Sequence, residues 1–398
     1  MAKGTFLGKW MGRRGVVLIL VCLVAVAFVQ KLIKMNGGHS FFAGGNPPSQ
    51  GNQGETGDAS SSGSGSVMKF VRVSIHDPEV NNIEACSILV PEGWDSKGGV
   101  TWDPNLGVQA YINFDVTDPQ SQAEVDLLPL QYYCYLPNST VPMPQGSNET
   151  GDIVWPPITD LEQYARTFYA PQVLPELNGA QLETQQDMPN IAALLQQSAG
   201  EGAQAKAGRV RFAYERDGQP WEEDIYLNLV YQSQAGMMVW YPESAAVVRA
   251  PRGQLDRMTP LMVSILHTVR LNQTWYSALM YVRNQFHERM MGQIADIGDI
   301  SQMIAQNSDE LRNMYSESYK AASDAEDSVN QSFSETIRGV NTYSDPYEGR
   351  PVELPSGYND AWVNANGEYL LSNQAGYDPN VGATTEWRRM DQRGEAGQ

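Results

Sequence analysis

The segments RVRFAYERDG (209–218), QPWEEDIYLNLVYQ (219–232) and GMMVWYPESAAVVRAP (236–251) follow one another almost without a break and read as three strands in meander order. Asp217-Gly218, between the first two, is a hairpin turn signal. Strands joined this tightly run antiparallel, so an antiparallel sheet constrains everything else the chain can build. Shorter strand-like stretches come earlier. VMKFVRVSIHD alternates loosely from Met68 to Ile75, and EACSILVPEGW stops at Pro91 and Gly93. GGVTWDP, GVQAYINFDVTDP and VDLLPLQYYCYLP complete an early β-rich block. Two helices intervene: ITDLEQYARTFYAPQVLPEL, capped by Thr159 or Asp160, and MPNIAALLQQSAG, ended by Gly200. Meander strands flanked by helices predict an α+β domain over 67–271, with an antiparallel sheet layered with helices.

The N-terminus is of another kind. Residues 16–29, VVLILVCLVAVAFV, are uninterrupted apolar residues preceded by Lys3, Lys9, Arg13 and Arg14. A basic region before an apolar one directs a chain to a membrane. Ala25-Val26-Ala27 fits a cleavage site, but the apolar character continues to Ile33, 18 residues from Val16 and the short end for a spanning helix. The reading favoured here is an uncleaved signal anchor over 1–34, with the membrane contacted through 16–33 and the large domain outside the cytoplasm, periplasmic or at the cell surface. A pilin-type leader cut after Gly15 is an alternative, though Leu20 stands where such leaders carry an acid. Cys22 lacks the small preceding residue that lipidation needs. Residues 35–66, rich in Gly, Ser, Asn and Gln, form a flexible linker whose bulky residues are His39, Phe41 and Phe42.

The chain has 27 basic and 46 acidic residues, and six of the basic ones fall within the first 34. The remainder carries 21 basic against 46 acidic residues, a charge of −25. A body this acidic is a poor partner for phosphate backbones, so no nucleic-acid partner is expected. Cys86 and Cys134, both in strand-like segments of an exported domain, are expected to form a disulfide.

The stretch VPEGWDSKGGVTW (90–102), a strand ending in V-P-x-G-W and then G-G-V opening another, resembles the start of the PsbP-like α/β/α sandwich. In order of elements the resemblance extends over about 84–270. That fold occurs in photosystem extrinsic subunits and bacterial exported lipoproteins, which mostly serve as binding or assembly modules. The resemblance implies a non-enzymatic role and supplies no catalytic residues.

Beyond Met258 the pattern turns helical. Over 272–340 a long helical segment is expected, with Trp275, Leu279, Val282, Phe286 and Met290 at helical spacing. Gly292 and Gly298 weaken it, and the apolar seam fades after Met314. It does not sustain the a and d positions of a coiled coil, so it is expected to pack along a protein partner, a second copy, or its own domain. The last segment, 341–398, is a β-hairpin clamp and tail. Asn366-Gly367 signals a type I′ hairpin between DAWVNA and EYLLS. Tyr358, Trp362, Tyr369, Tyr377 and Trp387 must bury their rings against the preceding helix or against a partner.

Signals for chemistry are few. Of four histidines, His39 is in the linker, His76 follows a strand, and His267 and His287 fall on helices. His287-Glu288 opens like a zinc-protease helix, but Met291 stands where the second ligand belongs. Asp115, Asp118, Glu124 and Asp126 lack the spacing of a calcium loop. Glu222, Glu223 and Asp224 are adjacent in a strand, so they face alternate sides. Asn138, Asn148, Asn272 and Asn330 begin N-x-S/T sequons. No metal, cofactor or catalytic residue is assigned. The expected function is a membrane-tethered, extracytoplasmic binding or assembly protein. The alternatives are a secreted hydrolase acting on polysaccharide with two carboxylates in one Trp- and Tyr-lined groove, and a pilin-like or secretion-apparatus component.

Overall fold

A computed structural model describes residues 66–102, 110–137, 143–149, 152–234, 236–289, 306–336 and 339–393. The meander is its largest sheet. β10 (Gln204–Arg216), β11 (Gln219–Gln234) and β12 (Met237–Pro251) pair antiparallel along most of their lengths. Asp217 and Gly218 both take positive φ, 53° and 74°, the type I′ geometry expected of that dipeptide. β9 (Gln181–Asp187) closes one side. On the other, β12 is followed by β5 (Glu124–Leu127), β4 (Ala110–Thr117) and β3 (Asp95–Trp102). Three short strands extend from the start of β12: β6 (Tyr133–Tyr135) pairs with it, β8 (Asp152–Val154) with β6, and β7 (Asn148–Glu149) with β8.

Alternation along these strands feeds two cores. Val210, Phe212, Ile225, Leu227 and Val247 face the first. It is covered by the segment 161–180, in which helix α1 (Leu161–Tyr164) runs into a π turn (Ala165–Tyr169) and then a 3-10 turn (Pro175–Asn178). Asp160 caps α1 by accepting from the Gln163 amide at 2.7 Å. Tyr133 stacks on Trp240 in this core, ring centres 4.3 Å apart. Ala207, Tyr226, Val230 and Val248 face the second core. There they meet α2 (Pro189–Ala199), α3 (Leu255–His267) and a separate sheet carrying Ile75, Cys86 and Ile88.

That second sheet has six antiparallel strands in the order β13-β2-β1-β17-β16-β18. β1 (Val67–Asp77), β2 (Ile83–Pro91) and β13 (Arg270–Leu271) come from the body, and β16 (Asp360–Asn364), β17 (Tyr369–Ser372) and β18 (Trp387–Arg389) from the C-terminus. Val67 lies opposite Ser372 and Phe70 opposite Tyr369. A third sheet, β15-β14-β19, joins β14 (Val340–Ser344), β15 (Pro351–Pro355) and β19 (Asp391–Gln392). The aromatic hairpin therefore gains its pairing from the first strand of the described chain, and α3 and α6 (Ser316–Thr336) lie against β14 and β15. Asn366 does not take positive φ, so the hairpin loop is not type I′. Instead the Asn364 side chain accepts from the Asn366 and Glu368 amides, and Gly367 alone is left-handed, at 71°.

The described chain is thus α+β, mainly antiparallel sheet with helices, an arrangement compatible with a sandwich. The helical segment is divided into α4 (Gln273–Arg289), α5 (Ser308–Met314) and α6, with Tyr315 breaking the last two at φ −105°, ψ 12°. Two further expectations are overturned. Cys86 and Cys134 form no disulfide: Cys86 lies in the core between the two larger sheets, and Cys134 in a small cluster with Val154 and Met237 beside β6, so the strands hold them in different cores. Among the described residues no helix is long and apolar enough to cross a membrane. The transmembrane and membrane-anchored assignment, with the extracytoplasmic placement that depended on it, is corrected accordingly. The run 16–33, Cys22 and the linker up to residue 65 lie outside the described residues, as do Asn138, Met290, Gly292 and Gly298.

Candidate functional site

One row of side chains crosses the large sheet at the end of the first core. Strand register sets Phe212 opposite Glu223, Glu223 opposite Arg249, and Arg249 opposite Glu124. Arg249 ion-pairs with Glu124 at 2.9 Å, with Glu176 of the 3-10 turn at 2.8 Å, and with Asp126. Arg216 takes the other oxygen of Glu124 at 2.8 Å and stands over the Trp221 ring. Glu223 has no exposed surface, and neither of its oxygens has a hydrogen bond; the buried Tyr214 hydroxyl has none either. Burial pushes the Glu223 carboxyl up to about 8, and the charge of Glu176 adds to it, with Tyr214 partly opposing. Burial also raises Glu176. Glu223 therefore holds a proton at neutral pH beside carboxylates that are already paired.

Asp224 points to the opposite face, as strand alternation requires. It is fully buried and held bidentately by Arg211 at 2.7 Å, with Arg209 at 3.3 Å. Glu222 pairs with Arg252 at 3.4 Å. Two of the three adjacent acids thus serve separate ion pairs, and Glu223 stands buried between them without one. Of the four acids weighed for calcium, Glu124 and Asp126 go to Arg249, and Asp118 closes its own turn through the Gln120 amide at 3.0 Å. Among the described residues no three His, Cys, Asp or Glu groups could hold a metal ion.

A second charged locus lies where the C-terminal segment meets the body. Arg72, Arg270, Arg350, Asp345, Glu348 and Tyr369 border a cavity of about 20 Å³, room for roughly one water. Each arginine is already committed. Arg72 pairs with Glu348 at 3.1 Å and Glu84 at 3.4 Å, Arg350 pairs with Asp327 at 2.7 Å, and Arg270 donates to the carbonyls of His267 and Pro351. His267 meets Glu353 at 3.1 Å in a buried contact between α3 and β15.

The five tail aromatics do not share one face. Tyr369 is buried in the core that joins the C-terminal strands to Phe70 and Leu89, and its hydroxyl donates to Asp345. Tyr358 packs against the same core and reaches the Met68 sulfur at 3.9 Å. Trp362 is half-buried on the other side of its strand, and its indole N–H has no partner among the described residues. Tyr377 and Trp387 are half-buried, and the Trp387 backbone is bonded on both sides by the Asn380 side chain. Of the sequons, Asn272 caps α4 and Asn330 donates to the His267 carbonyl, so both amides are engaged. Sequence reasoning missed the Arg249 hub and the burial of Glu223. The one available signal was Arg249 as an interior charge in VVRAP, between apolar neighbours.

No family model matches the chain and no curated protein matches it. Among solved structures, the chain is similar to a protein of unknown function, PA94, from Pseudomonas aeruginosa, at 14% identity over 44% of this chain and 83% of that one, with a TM-score of 0.16. It is also similar to the cyanobacterial PsbP, CyanoP, from Synechocystis, at 13% identity over 56% of this chain and 98% of that one, TM-score 0.19. A third is a crystal structure from Bacteroides thetaiotaomicron, 8% identical over 68% and 82%, TM-score 0.18. These scores are too low for any of the three to carry an assignment of fold or function.

Proposed function

We propose that the chain is a binding or assembly protein that associates with a protein partner, in the simplest case a second copy, through the outward face of α6. The observation that carries this reading is the helix itself. It has 21 residues, yet over 316–333 only Ser332 and Phe333 are buried. Glu317, Lys320, Ala321, Asp324 and Ser328 are exposed along it. A helix with so little of its length in a core gains stability from something packed along it, and the small residues on this face allow close approach. The finer fold reading, a PsbP-like sandwich, rests on VPEGW and GGV. Gly93 turns the chain at φ 91° after β2, and Gly98 in β3 lies where an added Cβ would come within 2.7 Å of Ile75 on β1.

Sedimentation of the purified chain over a range of concentrations tests the association. The wild type is expected to self-associate, and Ala321→Arg or Ser328→Arg to shift it to monomer. As surface changes, both should leave the melting curve within about 0.5 kcal/mol of wild type. A chain that stays monomeric throughout, or variants that sediment like wild type, would reject this reading. A second reading, a carboxylate hydrolase acting on polysaccharide, draws on Glu223 and Glu176 sharing one charged cluster. It ranks behind the first because Glu223 is closed to solvent. It requires Glu223→Gln to abolish a measured hydrolysis.

A further inference from the structure

The covering segment of the first core is tied to the sheet's charged row through Glu176, which shares Arg249 with Glu124 and Asp126. Among the described residues, the charged and titratable groups that act on Glu223 and its neighbours come from several elements. β10 contributes Tyr214 and Arg216, β12 contributes Arg249, β5 contributes Glu124 and Asp126, and the 3-10 turn contributes Glu176. Asp224 acts from the other face of β11, and Asp115 on β4 acts on Arg249. Arg216 is engaged by Glu124, and Arg249 by three carboxylates. Glu223 has no ion pair or hydrogen bond among the described residues. A negative charge on it would have to compete with Glu176 for Arg249.

We propose that protonated Glu223 is a latch: with its proton in place Glu176 stays on Arg249, and loss of that proton frees the 3-10 turn from the sheet. The turn's release would uncover Leu174 and Leu177, which are 1% and 0% exposed. The chain then has an apolar face that pH controls.

The direction follows from linkage. In the closed form the carboxyl is held at about 8, and in the open form it returns to its ordinary range near 4.5. The closed form binds more protons between these values, so closure is most favoured below the lower one and is lost as pH rises through the upper. The opening equilibrium should climb up to about tenfold per pH unit in that window and level off above it.

Amide hydrogen exchange at Leu177, Gly179 and Ala180, corrected for intrinsic rates, reads this opening; their amides bond to Leu174, Glu176 and Leu177 carbonyls. Between about pH 5 and pH 8, protection should fall by up to roughly tenfold per unit in the wild type, and it should stay level in Glu223→Gln. Glu222→Gln, whose carboxylate serves Arg252, should behave as wild type. Level protection in the wild type, or a Glu223→Gln profile parallel to it, overturns the latch. If Glu223→Gln does not fold, Glu176→Gln decides: with the competitor neutral, the fall should shrink, and an unchanged fall overturns the proposal.

Discussion

At the scale of residues, a single buried carboxylate with several donors joins three elements. Asp77, at the end of β1, has no exposed surface and accepts from the indoles of Trp102 at 2.8 Å and Trp275 at 2.6 Å, and from the Glu79 amide at 3.0 Å. It pins β1, β3 and α4 together. Asp77→Ala leaves two indole N–H groups without an acceptor, at about 1–3 kcal/mol each when buried. Urea unfolding should show a loss of roughly 2–5 kcal/mol, and Asp77→Asn a smaller one because the amide oxygen still accepts. A loss under about 1 kcal/mol for the alanine variant would mean that the indoles find other partners. Nothing in the sequence marks Asp77, a single acid after a strand. Cys86 shows the same limit from the other side. Two thiols in strand-like segments invite a disulfide, but which core each strand faces is a tertiary fact. Burial, followed by the charge of Glu84, pushes the Cys86 thiol up to about 12, so it should resist alkylation in the native chain. Alkylation after unfolding without reductant, followed by peptide mapping, should find both Cys86 and Cys134 modified. A Cys86–Cys134 linked peptide would contradict the structure.

At the scale of elements, what was legible was local. The strands β1, β10, β11 and β12 and the Asp217-Gly218 turn follow from residue type and spacing, because neighbours in sequence decide them. The Asn366-Gly367 hairpin was legible as a hairpin but not in its turn type, since the Asn364 side chain selects the geometry. The insertion of β17 between β1 and β16 was not legible, because it joins residues some 300 positions apart and no local pattern encodes the partner. This pairing ties the tail to β1 as well as to the helix before it. Ending the chain after Ser344 removes β15 to β19 and takes Leu354, Tyr369 and Leu371 from the core they share with Phe70 and Leu89. Burying each is worth about 1.5–3 kcal/mol, which together rivals the whole stability of a domain. The loss should fall on β1 and β2, with amide protection there collapsing before that of β10 to β12. Unchanged protection in β1 and β2 would mean the tail contributes little. The exposed edge of this sheet is also managed: Asn380 occupies both backbone groups of Trp387, which blocks strand addition there.

At the scale of the whole molecule, the first described strand, β1, pairs with β17 of the C-terminal segment, and ion pairs bridge the seams, Lys69 with Glu92 and Glu368 and Arg72 with Glu84 and Glu348. Most of α6 is exposed or half-buried, and the proposed association rests on that. The pairing of Val67 with Ser372 is the point where closure can be tested. Directly opposed residues of an antiparallel pair have Cβ atoms about 4.5–5.5 Å apart, within a small adjustment of disulfide geometry. In the Val67→Cys, Ser372→Cys double variant, mild oxidation should give an intramolecular cross-link, seen as a shift of mobility without reductant and as a raised melting temperature. If both single variants fold but the double variant forms no cross-link, the C-terminus does not complete the second sheet.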